Sequence, residues 1–341
     1  MSNIMKMLMS GAAIVATVMV GYKVIKSTMK KNLPFRKQAS EKIQQGIWRD
    51  NDIAYPTLHS PHWKKIGKVN GLRINSLKSG TGALICDSSD FRDYGMCTRV
   101  FETYFWDGMF LIYNKTKGKF EDGRTYSLLQ KIRTRIRSTD YFVLTSHKMG
   151  NQVDFNTKQS RNRSNRFMKE TWTGTSKAFY GSNQDINTWL KDNLEANEIN
   201  GADEDIILTQ TIPYDWDSTQ EIKDNWFRFV EGYKSVEKDE TGKFITLPRF
   251  VLITMKTDTE LSMKNIITRP NIIVDTGKES ISIFEEESWD WIKIGNDVIL
   301  RNVKPVPSHE REFPHFGIYC GLWSGGNVKL DDEVFIYSPD I

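Results

Sequence analysis

Residues 98–113 read TRVFETYFWDGMFLIY. Two runs rich in aromatic and β-branched side chains, 98–105 and 109–113, stand on either side of Asp107 and Gly108. Such side chains suit the half-buried, pleated surface of a sheet. An Asp-Gly pair supplies the positive φ of a two-residue turn, so the stretch predicts a β-hairpin.

Similar strand-like runs follow at 140–146, 205–212, 244–256, 271–275, 280–284, 291–303, 316–320 and 333–337. Pro248 places the 244–256 run at an edge or a bulge, because proline has no N–H to give a ladder. Two helices are predicted. In 184–197, Ile186, Trp189, Leu190 and Leu194 fall on one face. In 218–233, Ser218 and Glu221 form a capping box ahead of Ile222, Trp226, Phe229, Val230 and Tyr233. Both stripes read as core-facing. Residues 124–137 carry two periods: Leu128, Leu129, Ile132 and Ile136 fit a helix, whereas KIRTRIR at 131–137 alternates like a strand. The helix is the preferred reading. Strands outnumber helices and do not alternate with them. The expected fold is therefore α+β: a β-rich soluble domain of mainly antiparallel strands with a few amphipathic helices.

A single N-terminal transmembrane helix is expected to precede that domain. Residues 7–22, MLMSGAAIVATVMVGY, contain no charge between Lys6 and Lys23. Sixteen residues make about 24 Å of helix at about 1.5 Å each, against a hydrocarbon core of roughly 30 Å. Val24 and Ile25 extend the run if Lys23 snorkels to the headgroups. Met7, Gly11, Ala16, Gly21 and Tyr22 mark this anchor, its small residues permitting close helix contact in lipid. A cleaved signal peptide and a buried or interfacial helix are the competing readings. Lys23, Lys26, Lys30, Lys31, Arg36 and Lys37 follow the run, so the positive-inside tendency puts the large domain on the cytoplasmic side. The expected organisation is an anchor with its basic flank at 1–34, a linker at 35–62 and the β-rich domain at 63–341, with room for two subdomains dividing near 175–200.

The 341 residues carry a net charge of +4, too little to argue for nucleic acid. The charge is unevenly spread. Lys131, Arg133, Arg135, Arg137, Lys148, Lys158, Arg161, Arg163, Arg166 and Lys169 face only Asp140 and Asp154 between 131 and 169. Arg133, Arg135, Arg137, Arg161, Arg163 and Arg166 are the candidates for holding an anion: the phosphates of lipid headgroups or nucleic acid, or an acidic protein. Phe155, Phe167 and Trp172 are near enough in sequence to add stacking. A solvated loop over 156–169 is the plainer reading.

Other motifs are weaker. Asp215-Trp-Asp217-Ser-Thr219 resembles the D-x-D-x-T element of haloacid dehalogenase-like phosphatases. That resemblance implies a magnesium-dependent phosphohydrolase with Asp215 as nucleophile and Asp217 handling the proton. Pro213 and the missing strand–helix alternation depart from that family, and Asp217 and Ser218 also serve as helix caps. His59 and His62, with His309 and His315, read as surface histidines rather than a metal site. Glu285, Glu286, Glu287 and Asp290 read as a solvated turn. Cys86, Cys97 and Cys320 form no zinc or disulfide pattern and favour a reducing compartment. No catalytic set, cofactor or metal is expected. The reading is a non-enzymatic, single-pass membrane protein of structural or assembly type. Its partners would be the bilayer and other proteins, itself included, and by analogy it would suit a membrane-proximal virion component.

Overall fold

The computed structural model describes residues 56–337 apart from 93, 162, 171–175, 199–204, 212–249, 278–280 and 308–314. The predicted anchor at 7–22, the helix at 218–233 and the pair Asp215 and Asp217 lie outside the described residues. Among the described residues, no helix is long and apolar enough to cross a membrane.

The strands are β1 Trp63–Ile74, β2 Leu84–Cys86, β3 Ser88–Arg92, β4 Gly95–Val100, β5 Thr103–Trp106, β6 Phe110–Asn114, β7 Lys119–Glu121, β8 Ile132–Ser138, β9 Tyr141–Ser146 and β10 Gln152–Asn156. There follow β11 Arg166–Glu170, β12 Ser176–Gly181, β13 Ile206–Thr211, β14 Phe250–Thr254, β15 Ile272–Asp275, β16 Trp291–Ile294, β17 Val298–Pro307, β18 His315–Ser324, β19 Gly326–Lys329 and β20 Glu333–Tyr337. Two helices matter to the packing, α1 Gln184–Glu198 and α2 Met255–Met263. The β-rich expectation with few helices holds.

A closed barrel of seven strands is built around β1, in the order β1-β15-β14-β18-β17-β16-β20 and back to β1. β1 reads WKKIGKVNGLRI and was not expected as a strand: its lysines and glycines hide the alternation. Gly67 is what the closure needs. A Cβ on Gly67 would sit 2.1 Å from the Asp275 carbonyl oxygen, and the register slips beside it, between Lys65 and Gly67. Inside, Phe250, Leu252, Ile272, Val274, Ile292, Ile294, Leu300 and Ile318 alternate along their strands and are buried together. Each full burial is worth about 1.5–3 kcal/mol before chain entropy is charged against it. β14 and β15 are parallel and are joined through α2, which the Thr254 hydroxyl caps. Leu261 of α2 packs on Ile253 and Ile273.

A second core is built from residues 77–208. Its floor is one face of β6 and β13, with Phe110, Ile112, Ile206 and Leu208. α1 presents Ile186, Trp189, Leu190 and Leu194 to it, as its spacing predicted. The inner face of the sheet β10-β9-β8 adds Ile132, Phe142, Leu144 and Phe155. The Phe142 ring meets Phe105, Phe110 and Phe155 at 4.9–5.3 Å between centroids, two of the three edge-to-face.

The predicted hairpin over 98–113 does not form. β5 pairs with β4, whereas β6 pairs with β13 and β7. Asp107 and Gly108 make a corner between two sheets instead. Gly108 does take a positive φ of 65°, and its N–H goes to Asn75 O at 2.9 Å. The Asp107 carboxylate accepts from Asn75 N at 2.8 Å and Asn271 Nδ2 at 2.9 Å. Asp107 thus ties the corner to the end of β1 and the start of β15. Phe101, at φ 48°, also splits the 98–105 run into two strands.

Three further expectations are corrected. The helix preferred for 124–137 is a short 3-10 turn, Ser127–Lys131, followed by β8. Leu129 is buried in the turn, and the strand then takes over with Ile132 and Thr134 inward. Residues 281–284 form a turn rather than a strand, with Phe284 at φ 64°. The 244–256 run is strand only to Thr254 among its described residues; Met255 begins α2.

Candidate anion-binding face

β8 reads IRTRIRS, and over its first four residues buried and exposed side chains alternate. Ile132 and Thr134 are buried, while Arg133, Arg135 and Arg137 are exposed. Alternate residues of a strand share a face and lie about 6.6–6.8 Å apart, which sets Arg133 and Arg135 side by side; the register slips between Ile136 and Ser138, and Arg137 there reaches Asp154. Cross-strand pairing extends the face. Arg133 stands opposite Thr145, itself opposite Gln152; Arg135 stands opposite Val143, itself opposite Asp154. Tyr141, 45% exposed, completes it at the other end of β9.

Charge pairing along the row is uneven. Arg137 is tied to Asp154 in an ion pair across β9. Arg135 Nη2 reaches the Thr145 hydroxyl, at 3.4 Å. Among the described residues Arg133 and Arg135 have no carboxylate partner. Arg133 is positioned by its stem: a Cβ on Gly82 would fall 2.4 Å from Arg133 Cγ, so Gly82, at φ 79°, leaves room for it. Thr81 bridges to the same point of β8, its N–H donating to Ile132 O at 2.7 Å. Two cations without a carboxylate partner among the described residues, flanked by hydroxyl and amide groups, can hold phosphate or carboxylate oxygens with charge-assisted hydrogen bonds.

Four others of the basic segment go elsewhere. Lys158 pairs with Asp140 at 2.7 Å. Arg161 turns toward β13, where Nε and Nη2 lie 3.2 and 2.9 Å from the end of the Gln210 side-chain amide. Arg163 stands in the single turn Arg163–Asn165. Arg166 opens β11, at the edge of the sheet β11-β12-β13-β6-β7, opposite Tyr180. The sequence run therefore splits, and the alternation within 132–138 is what separates its outward arginines from the others.

The acidic run is not a solvated turn. Glu286 is fully buried, and its Oε2 accepts from the Thr254 and Thr257 hydroxyls at 3.0 and 3.1 Å. Burial pushes its carboxyl above the usual glutamate range, against the pull of those hydrogen bonds. Glu287 lies 3.2 Å from His315 Nδ1. His62 packs edge-on to Tyr337. Among the described residues no group of three or more His, Cys, Asp or Glu side chains could hold a metal. Cys86, Cys97 and Cys320 are free and buried, and burial raises all three thiols. A depression of about 520 Å³ opens beside Arg73, Asp258 and Thr268, but Thr268 and Arg73 both engage the Asp258 carboxylate there, at 2.5 and 3.6 Å.

No protein-family model matches the chain, and no curated protein matches it. Among solved structures it is similar to the solution structure of a Bordetella bronchiseptica protein, at 12% identity, covering 37% of this chain and 87% of that one with a TM-score of 0.26. A likeness of that size leaves the function to be read from the chain's own residues.

Proposed function

We propose that the protein is a membrane-tethered interaction module, of structural or assembly type, whose contact surface is the outer face of β8, β9 and β10. One observation carries the reading: Arg133 and Arg135 stand side by side, with Arg137 beyond them, all exposed on a sheet whose opposite face is anchored in the second core. A rigid cationic row selects an anionic partner, and the uncharged run at 7–22 would keep that row beside a lipid surface.

The test uses the full-length chain in detergent and heparin as a polyanion probe. Arg133→Glu, Arg135→Glu and Arg137→Glu combined should lower the salt needed for elution well below that of the native chain. Arg161→Glu with Arg166→Glu should lower it less, because those residues lie off the row. Equal elution of the native and triply substituted proteins would remove the face as the site.

A further inference from the structure

The turn joining β9 to β10 is the most exposed part of the basic sheet. His147, Lys148, Met149, Gly150 and Asn151 are all exposed, Met149 by 52%. The turn is nevertheless held in shape. Gly150 N donates to Ser146 O at 2.9 Å, Ser146 N donates to Asn151 O at 2.9 Å, and Met149 N donates to Ser146 Oγ at 3.2 Å. Cations gather round it. His147 N donates to Lys131 O at 2.9 Å, which brings Lys131 alongside, and Arg133 lies next on β8, opposite Thr145. Lys131, Arg133 and Lys148 have no carboxylate partner among the described residues. The acids of this sheet are engaged elsewhere, Asp154 by Arg137 and Asp140 by Lys158.

We infer that this turn is where the domain touches an anionic bilayer. Met149 enters the headgroup region, and Lys131, Arg133 and Lys148 meet lipid phosphates. The inference rests on the membrane-tethered reading above. An exposed apolar side chain on a turn that carries Lys148 and adjoins Lys131 and Arg133 suits an interface whose surface is charged and whose interior is hydrocarbon. A single-stranded nucleic acid would instead call for stacking rings among the cations. Among the described residues the turn offers one small ring, the His147 imidazole, while the larger exposed ring of the sheet, Tyr141, lies at the opposite end of β9 from the turn.

The three native cysteines are buried, so a cysteine placed at 149 is selectively labelled. Full-length Met149→Cys carries an environment-sensitive fluorophore and is reconstituted with vesicles of phosphatidylcholine, with or without phosphatidylserine. Met168→Cys, exposed on β11, serves as the comparison site. The expected result is a blue shift at 149, quenched by lipid-borne quenchers, only with phosphatidylserine, and no shift at 168. Lys131→Glu with Lys148→Glu should weaken the lipid-bound state by about fivefold per residue. An aqueous signal at 149 on phosphatidylserine vesicles overturns the inference, as does a signal that responds to a single-stranded oligonucleotide and not to lipid. Carbonate extraction separates the two readings. A chain that stays in the bilayer with an aqueous label at 149 keeps the tether and loses the contact. A chain that washes off while its label still enters phosphatidylserine vesicles loses the tether and keeps the contact.

Discussion

Replacing Asp107 tests the corner that joins the barrel to the second core. Its carboxylate accepts from Asn75 N and Asn271 Nδ2, and it faces the Arg269 guanidinium. Arg269 in turn donates Nη2 to Leu77 O at 2.9 Å, and burial lowers its pKa to about 10 against the pull of Asp107, so it remains a cation at neutral pH. Asp107→Ala strands two donors, each costing about 1–3 kcal/mol when left unmet. It also leaves Arg269 without its counter-charge, so the total loss should be about 3–5 kcal/mol. Asp107→Asn keeps an acceptor and should lose about 1–2 kcal/mol. The assay is urea unfolding of the full-length chain in detergent, followed by tryptophan fluorescence, with the midpoint falling at constant slope. Arg269→Met on top of Asp107→Ala should cost less than the sum of the two single changes, because the stranded cation is gone. An Asp107→Ala protein within about 0.5 kcal/mol of the native one, the effect of an ordinary surface change, would refute the role given to this corner.

Further outcomes are expected at three other places. Glu286 has its carboxyl raised by burial, so the folded state holds that proton more tightly than the unfolded chain. Its contribution is greatest below the ordinary glutamate value and is lost as pH rises through the raised one. Glu286→Gln should therefore gain stability relative to the native protein across that window, and parallel pH–stability curves would contradict the burial. Gly67→Ala puts a Cβ against the Asp275 carbonyl at the barrel seam and should cost at least about 1–3 kcal/mol in thermal or urea unfolding. The thiols of Cys86, Cys97 and Cys320 should resist a thiol reagent in the folded protein and all react in denaturant; fast native labelling would show that the cores are open.

How much was legible in the sequence varied with how local the signal was. α1 was visible because Ile186, Trp189, Leu190 and Leu194 repeat at helical spacing and one core receives them all. The strands 141–146, 206–211, 272–275 and 333–337 were visible from their composition. The Asp107 corner was misread because an Asp-Gly turn fixes only its own backbone; which strands pair on either side depends on residues far along the chain, such as Ile207 and Leu208 opposite Tyr113 and Ile112. β1 was missed because Gly67, a poor strand residue in isolation, is required by the close approach of the Asp275 carbonyl. In 124–137 two periods overlapped, and the strand prevailed because Ile132 and Thr134 both find the second core when alternate residues turn inward. The basic residues were legible as a run, but their division into an outward row and scattered remainder depends on strand register, which only the three-dimensional pairing supplies. Glu286 looked like one of three equivalent acids until Thr254 and Thr257, some thirty positions earlier, closed over it.

The most direct test of the account is arginine footprinting of the full-length protein by mass spectrometry, with and without phosphatidylserine vesicles. The outward row predicts that modification of Arg133 and Arg135 slows markedly in the presence of the anionic surface while Arg166 is unchanged. Undiminished modification of Arg133 and Arg135, or protection confined to Arg166, would contradict it.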